Sequence, residues 1–481
     1  MNFTEFSFWW ILIGVGAPLL VVRGLSRRLG FWQPSYDRIS LMLMSLLLFW
    51  NAAQSSFAIF AFELVFNYGL VCLMQRQKGW RAKAIATLII GVDLAILIYF
   101  KYLVFLAEDV FGWAFIGLFG QWSQQESVNA ALPGLQGIPP GISFYTFQMV
   151  AFVVDSLEAK TTSSLRFVDY VNFAAFFPQV VAGPIERRRD LLPQIETFRL
   201  KFSSDTIDEG LKWLAIGLFM KLVLGDNLAP HIQLDAIDNA WSVWLSIYLF
   251  GLRIYFDFAG YSFMALGIAK VIGVDLTVNF LAPYISLNIQ EFWRRWHVTL
   301  SNWFRDYVFI PLGGSQKNRT ALNIFIVFIV SGLWHGAGWN FILWGVYHGG
   351  LLVLYRYLGE RFQITAFAAW LVTFSTAMFG WLFFMETRLD YLFAKLATLG
   401  TPTAYSLSNV SSAIAALDNK VGLGIILLLS HGLLACEHLA ARRDRLRVYD
   451  SLLRPVVSLA LAGLVILLAA RSSSQFVYFA F

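Results

Sequence analysis

The sequence predicts an all-α protein that crosses a membrane many times, and three observations point there. Hydrophobic residues make up 58% of the chain and charged residues only 14%, against about 25% charged in soluble domains. Mean hydropathy is +0.63. Apolar runs of the roughly 20 residues that a helix needs to cross a ~30 Å hydrocarbon core recur along nearly all of the 481 residues. A porin-like barrel would show alternating strands of about ten residues, whereas these runs are continuous.

Taken in order, the expected spans are 6–22, 39–54, 56–74, 84–106, 138–156, 167–183, 210–225, 240–272, 321–334, 338–356, 366–385, 421–440 and 455–470. The first lacks a basic leader and a small-residue cleavage site, so it reads as a retained helix. Segments 167–183 and 321–334 are short for a crossing and suit re-entrant or partly buried helices, which protein rather than lipid must surround. That leaves roughly ten to twelve crossings in a single multi-pass domain, 1–481, with no internal repeat and no second soluble domain. The net charge is +6 and the pI about 9.2, but the cations lie in short clusters between apolar spans. They therefore mark orientation and give no sign of nucleic acid. Arg23, Arg27, Arg28 and Arg38, then Arg76, Lys78, Arg81 and Lys83, then Arg442, Arg443, Arg445 and Arg447 are expected on the cytoplasmic side. The stretch 108–137 has acidic residues and no Lys or Arg, which places it outside together with the N-terminus. Cys72 and Cys436 stand far apart in apolar sequence and support neither a disulfide nor a metal site.

One region breaks the pattern. From Pro283 to Arg319 the chain is polar, aromatic and basic: PYISLNIQEFWRRWHVTLSNWFRDYVFIPLGGSQKNR. Trp293, Trp296 and Trp303 suit an interfacial helix, with Arg294, Arg295 and Arg305 reaching lipid headgroups or an anionic ligand.

Six histidines are present, and only their settings separate them. His335 lies in SGLWHGAGWNFILWG beside Gly332, Gly336 and Gly338, small residues that admit close approach of backbone or substrate. Desolvation disfavours imidazolium, so a buried histidine keeps a lone pair able to accept a proton. Setting alone leaves a general base and a histidine bonded across a helix interface on equal footing. His297 ends the EFWRRWH run near several arginines, where an interfacial histidine is the plainer reading. His348 follows His335 by a spacing that no helical metal pair uses, and no HExxH pattern occurs, so no metal is expected. His431 and His438 share a helix face as packing or interface residues, and His231 reads as a loop residue. Asp93, Asp155 and Asp257 fall within apolar spans as relays, substrate ligands or, more plainly, buried partners of groups such as Lys101, Arg253 or a tyrosine. Hydrolase elbows, Walker loops and dinucleotide fingerprints are missing, and no tightly bound cofactor is implied.

Five stretches then carry a resemblance: IPPGISFYTFQMVAFVVD, NFAAFFPQVVAGPIERRRDLLPQ, IYFDFAGYSFMALGIAKVIG, PYISLNIQEFWRRWHVTLSNWFRDYVFIPLGG and SGLWHGAGWNFILWGVYHG. In this order, between Ile138 and Gly349, they resemble the membrane-bound O-acyltransferases, in particular the bacterial alginate O-acetyltransferase branch. Residues 138–349 form the matching core. Residues 1–137 and 350–481 match weakly, although the closing QFVYFAF is similar to the family's usual ending. The resemblance implies a ring of tilted helices around a central tunnel in the bacterial cytoplasmic membrane. It implies acyl transfer with His335 as proton acceptor and His297 as the second active-site residue, contacting the donor carbonyl or orienting the acyl group. The acyl donor it implies is acetyl-CoA or a phosphopantetheine-carrier thioester, held by Arg294, Arg295 and Arg305, with Trp296, Trp334 and Asn340 as walls or supports. It further implies delivery toward an exported polysaccharide such as alginate or cellulose, with a separate exported acetyltransferase as partner. D-alanyl transfer to teichoic acid is the nearest alternative. A transporter or flippase, of another class altogether, would predict inverted repeats, and none is visible.

Overall fold

The computed structural model describes residues 2–112, 138–159, 165–315, 319–359, 364–443, 449–450, 452–470, 474, 476 and 477. Most of the 108–137 stretch, Arg445 and Arg447, and most of the closing QFVYFAF lie outside these residues. Among the described residues every regular element is helical and no strand occurs. Six helical stretches are long and apolar enough to cross a membrane: Phe6–Arg28, Ser35–Gln75, Trp80–Val110, Ala240–Val271, Ala366–Met385 and Lys420–Ala441. Thr320–His335 and Pro455–Leu468 are shorter apolar helices. The protein is thus an all-helical, multi-pass membrane protein. The chain divides into two compact units, one of residues 1–210 and 265–277 and one of residues 211–264 and 278–481.

The first unit is built on α1 (Phe6–Arg28), α2 (Ser35–Ala53), α3 (Phe57–Gln75), α4 (Trp80–Leu97), α5 (Ile142–Glu158), α6 (Phe167–Ala174) and α7 (Arg188–Glu196). α1 buries only Phe8, while Phe6, Trp10, Ile13, Val21 and Leu25 stay exposed. Such an apolar and unburied surface is one made for lipid. α5, by contrast, is buried around most of its circumference. The expected short segment 167–183 resolves into the eight-residue α6 followed by turns, and from Asp169 onward it is buried in protein. Enclosure is the condition under which non-helical backbone survives at membrane depth.

One buried ion pair in this unit joins α2 to α6, each charge offsetting the desolvation of the other. Arg38 donates to Asp169 at 2.9 Å, and Asn172 Nδ2 donates to the Arg38 carbonyl at 2.8 Å. The sequence reading offered Lys101, Arg253 or a tyrosine as partners for the intramembrane aspartates; the structure bears out Arg253, whose charge attracts Asp257, and adds further partners. Asn67 Nδ2 on α3 lies 3.0 Å from both oxygens of Asp93 on α4. The Arg188 backbone N–H donates to Asp155 at 3.2 Å.

The second unit contains most of α9 (Ala240–Val271), which follows α8 (Ser204–Leu218). After it come α10 (Ile289–Arg295), α11 (Val298–Phe304), α12 (Thr320–His335), α13 (Trp339–Leu358), α14 (Ala366–Met385), α15 (Leu389–Leu399), α16 (Leu407–Ala415), α17 (Lys420–Arg443) and α18 (Pro455–Leu468). Asp257 on α9 takes Lys221 as its partner at 2.6 Å, and Lys221 also reaches Asp226 at 2.6 Å and the Ser474 carbonyl at 3.1 Å. The Val477 N–H donates to the other Asp257 oxygen at 2.7 Å, so one buried triad ties Ser474 and Val477 to α9. His431 meets the Tyr248 hydroxyl, which bears out its reading as an interface residue.

Candidate active site

The region expected to lie flat at the interface does not form one amphipathic helix. It breaks into α10, α11 and a π-helical turn, Arg305–Phe309, and buries Trp296 and Trp303. The break has a local cause. α10 starts on a reciprocal cap: Asn288 Oδ1 accepts from the Glu291 N–H at 2.8 Å, and Glu291 accepts from the Leu287 N–H at 3.0 Å. It ends before His297, whose φ of 43° and ψ of 58° put a non-glycine residue in the left-handed region. That conformation costs roughly 1–2 kcal/mol and persists only where the surroundings enforce it.

Asn279 enforces it. Its backbone carbonyl accepts from the Val298 N–H at 2.9 Å. Its side-chain oxygen accepts from the Thr299 N–H at 3.1 Å, from Thr299 Oγ1 at 3.0 Å and from His297 Nδ1 at 3.1 Å. A backbone N–H must face an acceptor, so the Thr299 contact fixes which way the Asn279 amide points. His297 Nδ1, facing that same oxygen, therefore carries the hydrogen, and in the neutral ring Nε2 holds the lone pair. Burial pushes the His297 imidazole down to about 3, so the neutral ring is the form present at cellular pH.

His335 is the last residue of α12, buried at the C-terminal end of the helix, where the unsatisfied carbonyls favour a cation. The tight pairing of α12 with α13 places it. A methyl group on Gly332 would run into the Phe341 carbonyl, and one on Gly345 into the Phe328 carbonyl. Only glycine lets the two backbones approach this closely. Around the His335 ring stand Trp334, Trp344 and Phe384, with centroids 4.9, 5.0 and 5.2 Å away. Trp334 also lies 6.0 Å from His297 and so stands beside both imidazoles.

A cavity of about 340 Å³ is lined by both histidines together with Gln290, Trp293, Arg294, Trp296, Ser301, Asn302, Arg305 and Ser331. Of the residues singled out from sequence, His297, His335, Arg294, Arg305 and Trp296 thus meet at one surface. Arg305 forms a 2.6 Å ion pair with its neighbour Asp306. The other candidates stand back from the cavity. Arg295 is buried, bonded to Glu291 at 2.9 Å and to the Leu281 carbonyl at 2.8 Å. Trp334 is a buried spacer, and Asn340 Nδ2 holds the start of α13 to the Phe383 carbonyl at 2.9 Å. Trp293, expected at an interface, packs edge-on against Trp344 and His348 at 5.4 and 4.9 Å, which leaves His348 buried behind the cavity wall.

Sequence reasoning missed Asn279, Gln290, Asn302 and Ser331. Ser331 was within reach, because it precedes His335 by four residues and so shares its helix face. Asn279 carried no such signal, since it sits in an irregular segment 18 residues before His297.

The profile of the MBOAT, membrane-bound O-acyltransferase family, matches residues 42–393, which include the whole cavity. A protein of Azotobacter vinelandii named "probable alginate O-acetylase" is 34% identical over 393 residues, covering 80% of this chain and 77% of its own length. A peptidoglycan O-acetyltransferase of Helicobacter pylori is 32% identical over 437 residues, covering 82% and 80%. A teichoic acid D-alanyltransferase of Bacillus subtilis is 31% identical over 267 residues, covering 51% and 68%. The chain belongs to the membrane-bound O-acyltransferase family, as a multi-pass membrane acyltransferase.

Proposed function

We propose that this acyltransferase moves an acetyl group from a cytoplasmic thioester toward an exported glycan, through a separate extracytoplasmic acetyltransferase that receives it. The donor in this reading is acetyl-CoA or a phosphopantetheine-carrier thioester, and the home of the protein is a bacterial inner membrane. The observation that carries the reading is the meeting of His335, His297, Arg294 and Arg305 at one cavity. The relatives named for alginate and for peptidoglycan acetylation match similar shares of the chain, which supports a polysaccharide or peptidoglycan as the acceptor class.

In the proposed step an acceptor oxygen attacks the thioester carbonyl carbon, a C–O bond forms and the C–S bond breaks. His335 takes the hydroxyl proton during attack and returns it to the departing thiolate. Base catalysis of this kind contributes about 10²–10⁴-fold. The end of α12 helps by stabilising the imidazolium that forms. Arg294 and Arg305 attract the phosphates of the donor.

Resemblance alone gives His297 the donor carbonyl as its partner. The tautomer set by Asn279 favours the opposite polarity, because a lone pair at Nε2 accepts hydrogen bonds and does not donate them. In this reading His297 orients the incoming O–H. Donation to the developing oxyanion then falls to N–H and O–H groups of the same cavity, Asn302 and Ser331.

The test is to replace His335 or His297 with alanine and measure polymer acetylation together with membrane abundance. Loss of acetylation at normal abundance is expected for both, and full acetylation by a normally inserted His335→Ala protein would refute the assignment. Supplying labelled acetyl-CoA, labelled acetyl-carrier and labelled D-alanyl-carrier in parallel identifies the donor. Transfer of D-alanine alone would favour the second reading, teichoic acid D-alanylation, which the Bacillus subtilis relative suggests.

A further inference from the structure

A second cavity lies in the first unit and takes no part in the chemistry above. The bulky apolar sequence of α1 is interrupted by Gly16 and Ala17, and this gap opens a cleft of about 330 Å³ facing Leu41 and Met44 of α2. Phe177, Phe198, Leu200, Phe202, Val271 and Ile272 complete its walls, and its surface is almost wholly carbon. Such a cleft gives water nothing to bond to. It opens beside a helix whose outer surface is lipid-facing, so hydrocarbon is the filling that the bilayer supplies.

One end of the cleft is polar. Arg23 is neutralised there by Asp37, at 2.6 and 3.0 Å, and also donates to the Leu200 carbonyl. Around this neutral plug stand exposed cations. Arg27 follows Arg23 by one turn and stacks over Trp32 at 4.5 Å, and Arg28 comes next on the same helix end. Arg199 and Lys201 flank the wall residue Leu200, and Arg199 is anchored on the Pro34 carbonyl at 3.2 Å beside the start of α2. The pattern is an apolar slot that ends in a basic rim, which complements a chain-bearing anion.

We infer that this cleft is a binding site for an anionic phospholipid of the bilayer, with one acyl chain lying along Gly16 and Ala17 and the phosphate at the Arg27, Arg28, Arg199 and Lys201 rim. Selectivity resides in the rim, because a hydrocarbon chain is as comfortable in the bilayer as in the slot. Each cation near a charged headgroup changes affinity about five-fold.

The full chain, purified and exchanged into mixed phosphatidylglycerol and phosphatidylcholine, is examined by native mass spectrometry. Retention of phosphatidylglycerol in preference to phosphatidylcholine is expected, and equal retention of both would overturn the anionic assignment. Arg199→Gln with Lys201→Gln should reduce the preference by at least about five-fold. Gly16→Leu fills the slot in an open direction, the Met44 methyl being 3.5 Å from the position of a new Cβ. It should abolish retention, and undiminished lipid in this variant would overturn the location. A photoreactive phosphatidylglycerol on the unaltered protein provides a reading independent of any variant. Labelled peptides from residues 12–20 and 41–44 support the site, and labelling confined to other segments refutes it.

Discussion

At the scale of single residues, the centre of the site is a side chain that never touches the cavity. Asn279 holds His297 in a left-handed conformation and fixes which imidazole nitrogen bears hydrogen. Asn279→Leu is expected to lower the acetyl-transfer rate by about 10–100-fold, the size of effect seen when a supporting hydrogen bond to a functional histidine is lost. Asn279→Asp keeps an acceptor for all three donors and should retain most of the rate, and equal losses in the two variants would count against the tautomer argument. A second expectation concerns pH. The folded-state value of His297 lies well below that of the unfolded chain, so the unfolded state binds the extra proton between roughly pH 6.5 and 3. The stability that this neutral imidazole supports is therefore fully present above about pH 6.5 and is lost as pH falls toward 3. His297→Asn should flatten the acid side of a thermal-stability profile, and an unchanged profile would contradict the assignment. Any titration that limits activity near neutrality belongs to another group, so it should survive in the residual activity of the same variant.

At the scale of elements, the approach of α12 to α13 decides where His335 ends up. Gly345→Val drives a side chain into the Phe328 backbone, and overpacking of this kind costs about 1–3 kcal/mol. Lower thermal stability together with loss of acetylation is expected, whereas Gly350→Ala, a site with room around it, should be tolerated in both measurements. The Lys221 triad makes a similar argument for α9. Lys221→Met leaves Asp226 and Asp257 buried without their cation and should destabilise by about 3–5 kcal/mol, read as a shift of thermal unfolding in detergent. The double variant Asp226→Asn with Asp257→Asn, made in the Lys221→Met background, should recover part of that loss, because the two buried carboxylates that lost the ammonium are then replaced by neutral amides. The periodicity of hydrophobic residues marked these helices within a few residues of their observed ends. It could not mark the break at His297, because that comes from Asn279, 18 residues distant in sequence.

For the whole molecule, apolar composition and the six long apolar helical stretches among the described residues make this a membrane protein. On the proposed localisation, density-gradient fractionation of a Gram-negative host should place the full chain with inner-membrane markers and resistant to carbonate extraction. Recovery with the outer membrane would overturn it. Much of the candidate site was also legible: His297, His335, Arg294, Arg305 and Trp296, chosen from sequence, share one cavity. Arg295 shows where that reading stopped. Nothing in EFWRRWH distinguishes two adjacent arginines, yet one turn of α10 sends the first to the cavity and the second to Glu291 and the Leu281 carbonyl.

The sequence by itself determined the solvent in which this protein folds, the order of its main apolar segments, and the family to which its chemistry belongs. Those properties follow from local composition and from motifs read in order along the chain. Only the tertiary structure decided which polar groups pair in the apolar interior, which arginine faces the cavity and which nitrogen of His297 carries hydrogen. Each of these depends on a partner brought close by packing, such as Asn279 for His297, Asn67 for Asp93 and Lys221 for Asp257. Buried polar groups must find partners wherever the fold supplies them, and linear sequence does not record that distance.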